Sequence, residues 1–254
     1  MFLRPLLQPQ ATWLDNPHPR RVAGAAIAAV VGLAAYGFSV GYWRSPMMGA
    51  YVAIKMPLLV ACTLGCNALL NGLLGLLLGS GLGFRQSFLA LLMSFAIAGL
   101  ILGSLAPVLV FITSIAPDAT SPGADTAHST YLVAHTFLIG FAGVVANLHL
   151  HRLLAAKATN RNAATVTLLA WLGGNGFLGA QFSWVLRPFF GMPNMKVQFL
   201  RDDPMRGNFY ESVWSSLTHI TGGPVEAGFV LLLIMAAIAI PIVLSLRSYY
   251  QPRN

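Results

Sequence analysis

Charges are nearly absent from six stretches of this chain. Each stretch is apolar over the roughly 20 helical residues that a hydrocarbon core requires. The pattern predicts spans over Val22–Trp43, Met56–Gly83, Gln86–Ala116, Thr130–Leu150, Ala163–Leu186 and Val225–Arg247. Pro107 falls inside the third, where a missing N–H predicts a kink. Polar turns separate the blocks, and "TGGP" before Val225 is a helix-start signal with Pro224 in the first turn.

Between the fifth and sixth blocks the pattern changes. "NFYESVWSSLTHI" sets Phe209, Val213, Trp214, Leu217 and Ile220 on one helical face and Ser212, Ser215, Ser216 and His219 largely opposite. Asn208 precedes it as N-cap with Glu211 three residues on, a capping box. The expected fold is therefore all-α: a polytopic transmembrane bundle of about six spans, with an amphipathic interfacial helix between spans five and six. Residues 1–21 read as a cytoplasmic tail, 22–247 as one transmembrane domain holding an extracytoplasmic interfacial loop over 187–224, and 248–254 as a C-terminal tail. Arg20-Arg21 before the first block superficially match a twin-arginine signal, but the apolar run continues to Trp43 without a convincing small-x-small cleavage site, so a retained first helix is expected.

Composition agrees. The 254 residues are 56% hydrophobic and 9% charged, with a mean hydropathy of +0.70. The net charge of +8 does not imply nucleic acid, because the basic residues stand at the ends of apolar runs rather than in blocks. There they set topology. With the N-terminus inside, Arg4, Arg20, Arg21, Arg85, Arg152, Lys157, Arg161, Arg247 and Arg253 lie inside, against Arg44, Arg187, Lys196, Arg201 and Arg206 outside. Both termini are expected in the cytoplasm. Lys55, just ahead of Pro57, is expected to snorkel to the headgroups. Cys62 and Cys66, four residues apart, read as buried free thiols.

Two glycine-rich helices carry the packing signals. Asn67, Asn71, Gly75, Gly79 and Gly83 recur every four residues, and Gly75-xxx-Gly79-xxx-Gly83 is a doubled small-xxx-small motif for close backbone approach. In "LGGNGFLGAQFSW", Gly173, Gly176 and Gly179 thin the fifth span beside Asn175 and Gln181. Internal packing explains both stripes. The alternative is a small channel or permease whose path is lined by Asn67, Asn71, Asn175 and Gln181. His135 and His149 share a face of the fourth span, but no second helix supplies the two further ligands of a bis-histidine haem. His135 alone could ligate a pigment or other macrocycle. No HExxH, no GxSxG and no paired carboxylates within the spans occur, no metal site is expected, and the sequence requires no cofactor.

The stretch from Ser183 to Trp214 holds seven aromatic rings among prolines, arginines and aspartates. Pro188 ends the fifth span and pushes Arg187 out of helical geometry. Met195, Val197 and Phe199 alternate with polar residues, as in a short extended segment lying on a surface. Gln181, Trp184, Arg187, Phe189, Phe190, Phe209, Tyr210 and Trp214 are the candidate docking residues. They serve either a lid on the chain's own bundle or an anchor for another subunit.

"GAQFSWVLRPFFGMP" followed by "FLRDDPMRGNFYESVW", with "KMPLL" and "LAPVLVF" earlier, resembles a group of uncharacterised bacterial multi-span membrane proteins loosely classed as Yip-like. The likeness runs over residues 50–217 and rests on Gln181, Trp184, Arg187, Pro188, Phe189, Gly191, Asn208, Phe209 and Tyr210. The resemblance implies a helical bundle in a bacterial inner membrane and brings no established activity. The expected function is that of a non-enzymatic membrane subunit, bound to lipid and to other subunits or itself, that scaffolds or anchors a larger assembly.

Overall fold

The structure, a computed structural model, describes residues 10–191, 195–230 and 232–233. These residues are helical with no strand among them. In order the helices are α1 (Thr12–Asp15), α2 (Pro19–Tyr42), α3 (Pro46–Leu77), α4 (Phe84–Ser114), α5 (Ala124–Ala155), α6 (Arg161–Val185) and α7 (Phe209–Thr221). Five of them, α2 to α6, are long and apolar enough to cross a membrane. Residues 224–230 and 232–233 are helical, but most of the sixth expected span and the C-terminal tail lie outside the described residues. The chain divides into two compact units, Met1–Pro204 and Met205–Asn254.

Local chemistry sets the ends. Pro19 and Pro46 open α2 and α3, where a missing N–H costs nothing, and Ser45 Oγ accepts from Met48 N at 3.1 Å. Asn160 caps α6 by accepting from Ala163 N at 2.8 Å. The second span differs from its expected bounds: it starts at Pro46 and stops at Leu77. "GSGLG" is a turn, with Gly79 and Gly81 in left-handed backbone that other residues rarely adopt.

Within the first unit α2 is the hub. Its widest interface is with α4, and the next is with α3. Both depend on glycine. A Cβ at Gly32 would stand 2.1 Å from Gly99 O, and one at Gly37 or Gly41 would stand 2.5 Å from a carbonyl oxygen of α3. Around this hub α3 also packs on α4 and α6, α4 on α5, and α5 on α6.

The two ends of the first unit differ. One end, here the turn end, gathers the α3–α4 and α5–α6 turns. Thr159 N and its hydroxyl both donate to Gly79 O at 3.2 Å, and a Cβ at Gly81 would stand 2.4 Å from Lys157 O. The expected N-terminal tail is partly built in here. Trp13 and Leu14 are buried in the core, Asp15 pairs with Lys157, and Gln86 Nε2 donates to Asp15 at 3.1 Å. An indole and a leucine side chain beside an apolar groove bury more surface than a free tail could. The opposite end, the cover end, carries residues 186–191 and 195–204.

Candidate functional site

At the cover end the chain leaves α6 and folds back on its own bundle. Phe189, Phe190 and Val197 pack on the cluster formed by Leu33, Tyr36, Val40, Met48 and Val52. Arg44 Nη2 donates to Met195 O at 3.0 Å, and Tyr51 meets Phe199 edge-to-face at 5.5 Å. Gly191 sits at φ +67 against the Arg44 side chain. The peptide bond before Pro188 is cis. Residues 187–191 and 195–204 thus form a cover packed on their own bundle. Lys196, Asp202 and Asp203 stay exposed on it.

Arg187 belongs to the cover rather than to its outer face. Its Nη1 donates to Trp184 O at 2.6 Å and to Pro204 O at 3.4 Å, and its guanidinium lies 3.7 Å over the Trp184 ring. Burial, with repulsion from Arg201 added, lowers its pKa. A guanidinium starts so high that it remains a cation at any physiological pH. Phe189 and Phe190 likewise turn inward, and Gln181 is half-buried on α6.

Lys55 was missed as a site residue. It does not snorkel: it is 0% exposed, on the stripe of α3 that also buries Met48, Val52, Thr63, Asn67 and Asn71. Its Nζ donates to Pro188 O at 2.7 Å and lies 5.1 Å from the Phe199 ring and 5.7 Å from the Phe189 ring. Burying an ammonium costs several kcal/mol, on the order set by lost hydration. A carbonyl dipole and two π faces offset part of that. The sequence signal was present: Lys55 lies three and seven residues from buried Val52 and Met48, the spacing of one helical face.

His135 is 1% exposed. Its Nδ1 is 2.8 Å from the Tyr36 hydroxyl, and its ring sits 5.4, 5.6 and 6.1 Å from those of Tyr36, Phe190 and Tyr131. Ring-to-ring contact on these sides suits a core histidine better than the axial ligand of a macrocycle. Beyond it Trp43 packs on Tyr131 and His128 and donates to Pro117 O at 3.0 Å.

The expected glycine stripes need correcting. Gly79 and Gly83 are not on a helix with Gly75: one is in the turn and the other is the N-cap of α4. A Cβ at Gly75 would meet Ser80 Oγ at 2.9 Å and Trp171 at 3.4 Å. On α6, Gly173 and Gly176 have nothing within 4 Å of a Cβ position, so they pack on nothing in the described residues, and Gly179 makes only ordinary contact with Thr63. The glycine that meets α3 is Gly174, where a Cβ would stand 3.3 Å from Asn67 Oδ1.

The amides do come together. Asn67 Nδ2 and Asn71 Nδ2 donate to Asn175 Oδ1 at 2.9 and 3.4 Å, and Trp171 Nε1 donates to Asn71 O at 2.8 Å. Asn67 and Asn71 are fully buried, and their own Oδ1 atoms have no hydrogen-bond partner among the described residues. Cys66, expected buried, is exposed on the apolar surface.

In the second unit Asn208 Oδ1 accepts from Glu211 N at 2.8 Å, as its capping position predicts. Gly222, at φ +87, ends α7. Phe209 and Tyr210 meet edge-to-face at 5.6 Å, while Tyr210 and Trp214 are well exposed. Desolvation raises the Tyr210 pKa. The side chains of Val213, Leu217 and Ile220 lie outside the described residues, so the rest of the apolar face does too.

Five apolar spans tied together by glycine contacts and short polar turns define an all-α, multi-pass membrane protein. No family model, no curated protein and no solved structure matches the chain.

Proposed function

We propose that this chain is a non-enzymatic integral membrane subunit that anchors a larger assembly, sited in a bacterial inner membrane with both termini in the cytoplasm. The observation that supports it most is the cover. Residues 187–191 and 195–204 are fixed to the bundle by Lys55, Arg44 and Tyr51, yet they present Lys196, Asp202 and Asp203 to the outside. A fixed loop with charges outward suits a docking platform, because little order is lost when a partner binds. The exposed rings of Tyr210 and Trp214 on α7 offer aromatic anchors of the kind interfaces favour.

The test is gentle solubilisation from the native membrane followed by identification of what co-purifies. A fixed partner at constant ratio is expected, with its yield lowered in Asp202→Lys/Asp203→Lys and in Trp214→Ala while the bundle keeps its thermal stability. A lone monomer overturns the reading.

A second reading, a small channel or permease, draws on the unpartnered oxygens of Asn67 and Asn71. Solute flux into reconstituted vesicles, abolished by Asn67→Leu, would carry it. Vesicles that stay tight to ions and small solutes would end it.

A further inference from the structure

Along the seam between α2 and α4 runs an apolar furrow of about 480 Å³. Ile27, Val31 and Ala35 of α2 form one wall, and Gly103 and Ser104 of α4 the other. Its depth comes from backbone contact: a Cβ at Gly32 would stand 2.1 Å from Gly99 O, so no side chain fills the crossing. No charged residue lines the furrow, and the Ser104 hydroxyl is spent on Ile101 O at 2.7 Å. Ile27 and Val31 are 62% and 61% exposed, so the furrow opens outward.

Both walls lead to arginines at the turn end. With 3.6 residues per turn, Arg20 lies within about 20° of Ile27 and Val31 around α2, and Arg21 within about 20° of Gly32. Arg85 falls on the same line of α4 as Gly103, about five turns on. Helical side chains lean toward the N-terminus, so all three arginines lean out of the furrow's mouth toward headgroup depth. The lined stretch of α2, Gly24 to Ala35, spans about 16 Å along the axis. One leaflet of a hydrocarbon core is about 15 Å deep. The three arginines are exposed and none has a carboxylate partner. Asp15, the acid described at this end, is taken by Lys157. Arg21 is steadied with its guanidinium carbon 4.8 Å over the Trp13 ring.

We propose that the furrow and these arginines bind an anionic phospholipid, with one acyl chain along the α2–α4 walls and the phosphate on Arg20, Arg21 and Arg85. An apolar furrow one leaflet deep takes the chain, and guanidinium forks at its mouth match phosphate oxygens. Three positive charges with no carboxylate among them favour a headgroup of net negative charge over a zwitterionic one. The site lies at the end opposite the cover and does not rest on the anchoring role.

The test is native mass spectrometry of the full chain, released from micelles holding equal amounts of dioleoylphosphatidylglycerol and dioleoylphosphatidylcholine. One phosphatidylglycerol per chain is expected to stay bound, at least fivefold in excess of phosphatidylcholine. Arg20→Gln/Arg21→Gln/Arg85→Gln should bring the two lipids to parity. Arg20→Lys/Arg21→Lys/Arg85→Lys, which keeps the charges, should retain at least half of the preference. Ala35 is exposed on the furrow wall, so Ala35→Phe fills the furrow without entering the helix crossing. It should lower total bound lipid at least fivefold. Lys196→Gln/Arg201→Gln, at the cover end, should change nothing. Equal retention of the two lipids by the unaltered chain, or an equal loss of preference in the cover-end variant, overturns the site. So does lipid retention that Ala35→Phe leaves unchanged. A lipid-free dimer that Ala35→Phe dissolves assigns the furrow to a second copy and overturns the lipid.

Discussion

Lys55 sets the terms at the residue scale. A buried ammonium whose partners are one carbonyl and two rings holds the cover in place, yet its desolvation opposes that gain. Lys55→Met keeps the stem volume and removes the charge. Global stability of the purified bundle is expected to change by under about 2 kcal/mol in either direction. The cover, however, loses its bond to Pro188, so trypsin should cut faster at Lys196 and Arg201 under native conditions. Equal cutting rates in the two proteins would show that the rings alone fix the segment. Asn175 gives a complementary case, because it is the shared acceptor for Asn67 and Asn71. Asn175→Leu leaves two donors stranded in an apolar seam and should cost about 2 kcal/mol. Replacing all three asparagines by leucine removes donors and acceptor together and should recover most of that loss. Unfolding in mixed micelles measures both, and an additive triple variant would show that the amides do not act as a unit. The identity of these residues was legible in the sequence through their four-residue spacing. That Asn175 is the hub was not, since a choice among neighbouring glycines and one amide on α6 depends on how that helix is rotated.

At the scale of elements, the order and type of the first five spans followed from hydropathy alone, because lipid permits so few alternatives to a helix. Their ends followed less well. A glycine every fourth residue up to Gly83 reads as a packing stripe on the second span, whereas "GSGLG" has the turn chemistry that ends a helix. The same small-xxx-small spacing occurs in Gly37-xxx-Gly41 and Gly99-xxx-Gly103, and there it marks real contacts of the α2 hub. Those helices hold many small residues, which look alike in sequence until the facing helix is known. The difference is measurable. Gly32→Ala drives a methyl to within 2.1 Å of Gly99 O and is expected to cost about 2 to 3 kcal/mol, outweighing the gain in helix propensity. Gly176→Ala meets nothing within 4 Å and should leave stability unchanged or raise it by up to about 1 kcal/mol. If Gly176→Ala instead weakens the assembly recovered from native membranes, that open face of α6 belongs to a partner.

For the whole molecule, the decisive quantity is which end of the first unit faces the cytoplasm. Its two ends are chemically distinct. The turn end carries Arg20, Arg21, Arg85, Arg152, Lys157 and Arg161, and the cover end carries Arg44, Arg187, Lys196 and Arg201. Basic residues flanking spans are retained on the cytoplasmic side, and the turn end holds six, one of them paired with Asp15, against four on the cover end. That leaves the turn end with the larger free positive charge, so it is expected inside and the cover outside. The prediction is read with single cysteines in a Cys62→Ala/Cys66→Ala background. Lys196→Cys, at an exposed position of the cover, should react with a membrane-impermeant maleimide in intact cells. Arg161→Cys, at the first residue of α6 on the turn end, should react only after permeabilisation. The reverse pattern would place the cover and its aspartates in the cytoplasm, and any docking partner with them, while leaving the packing of the five spans as described.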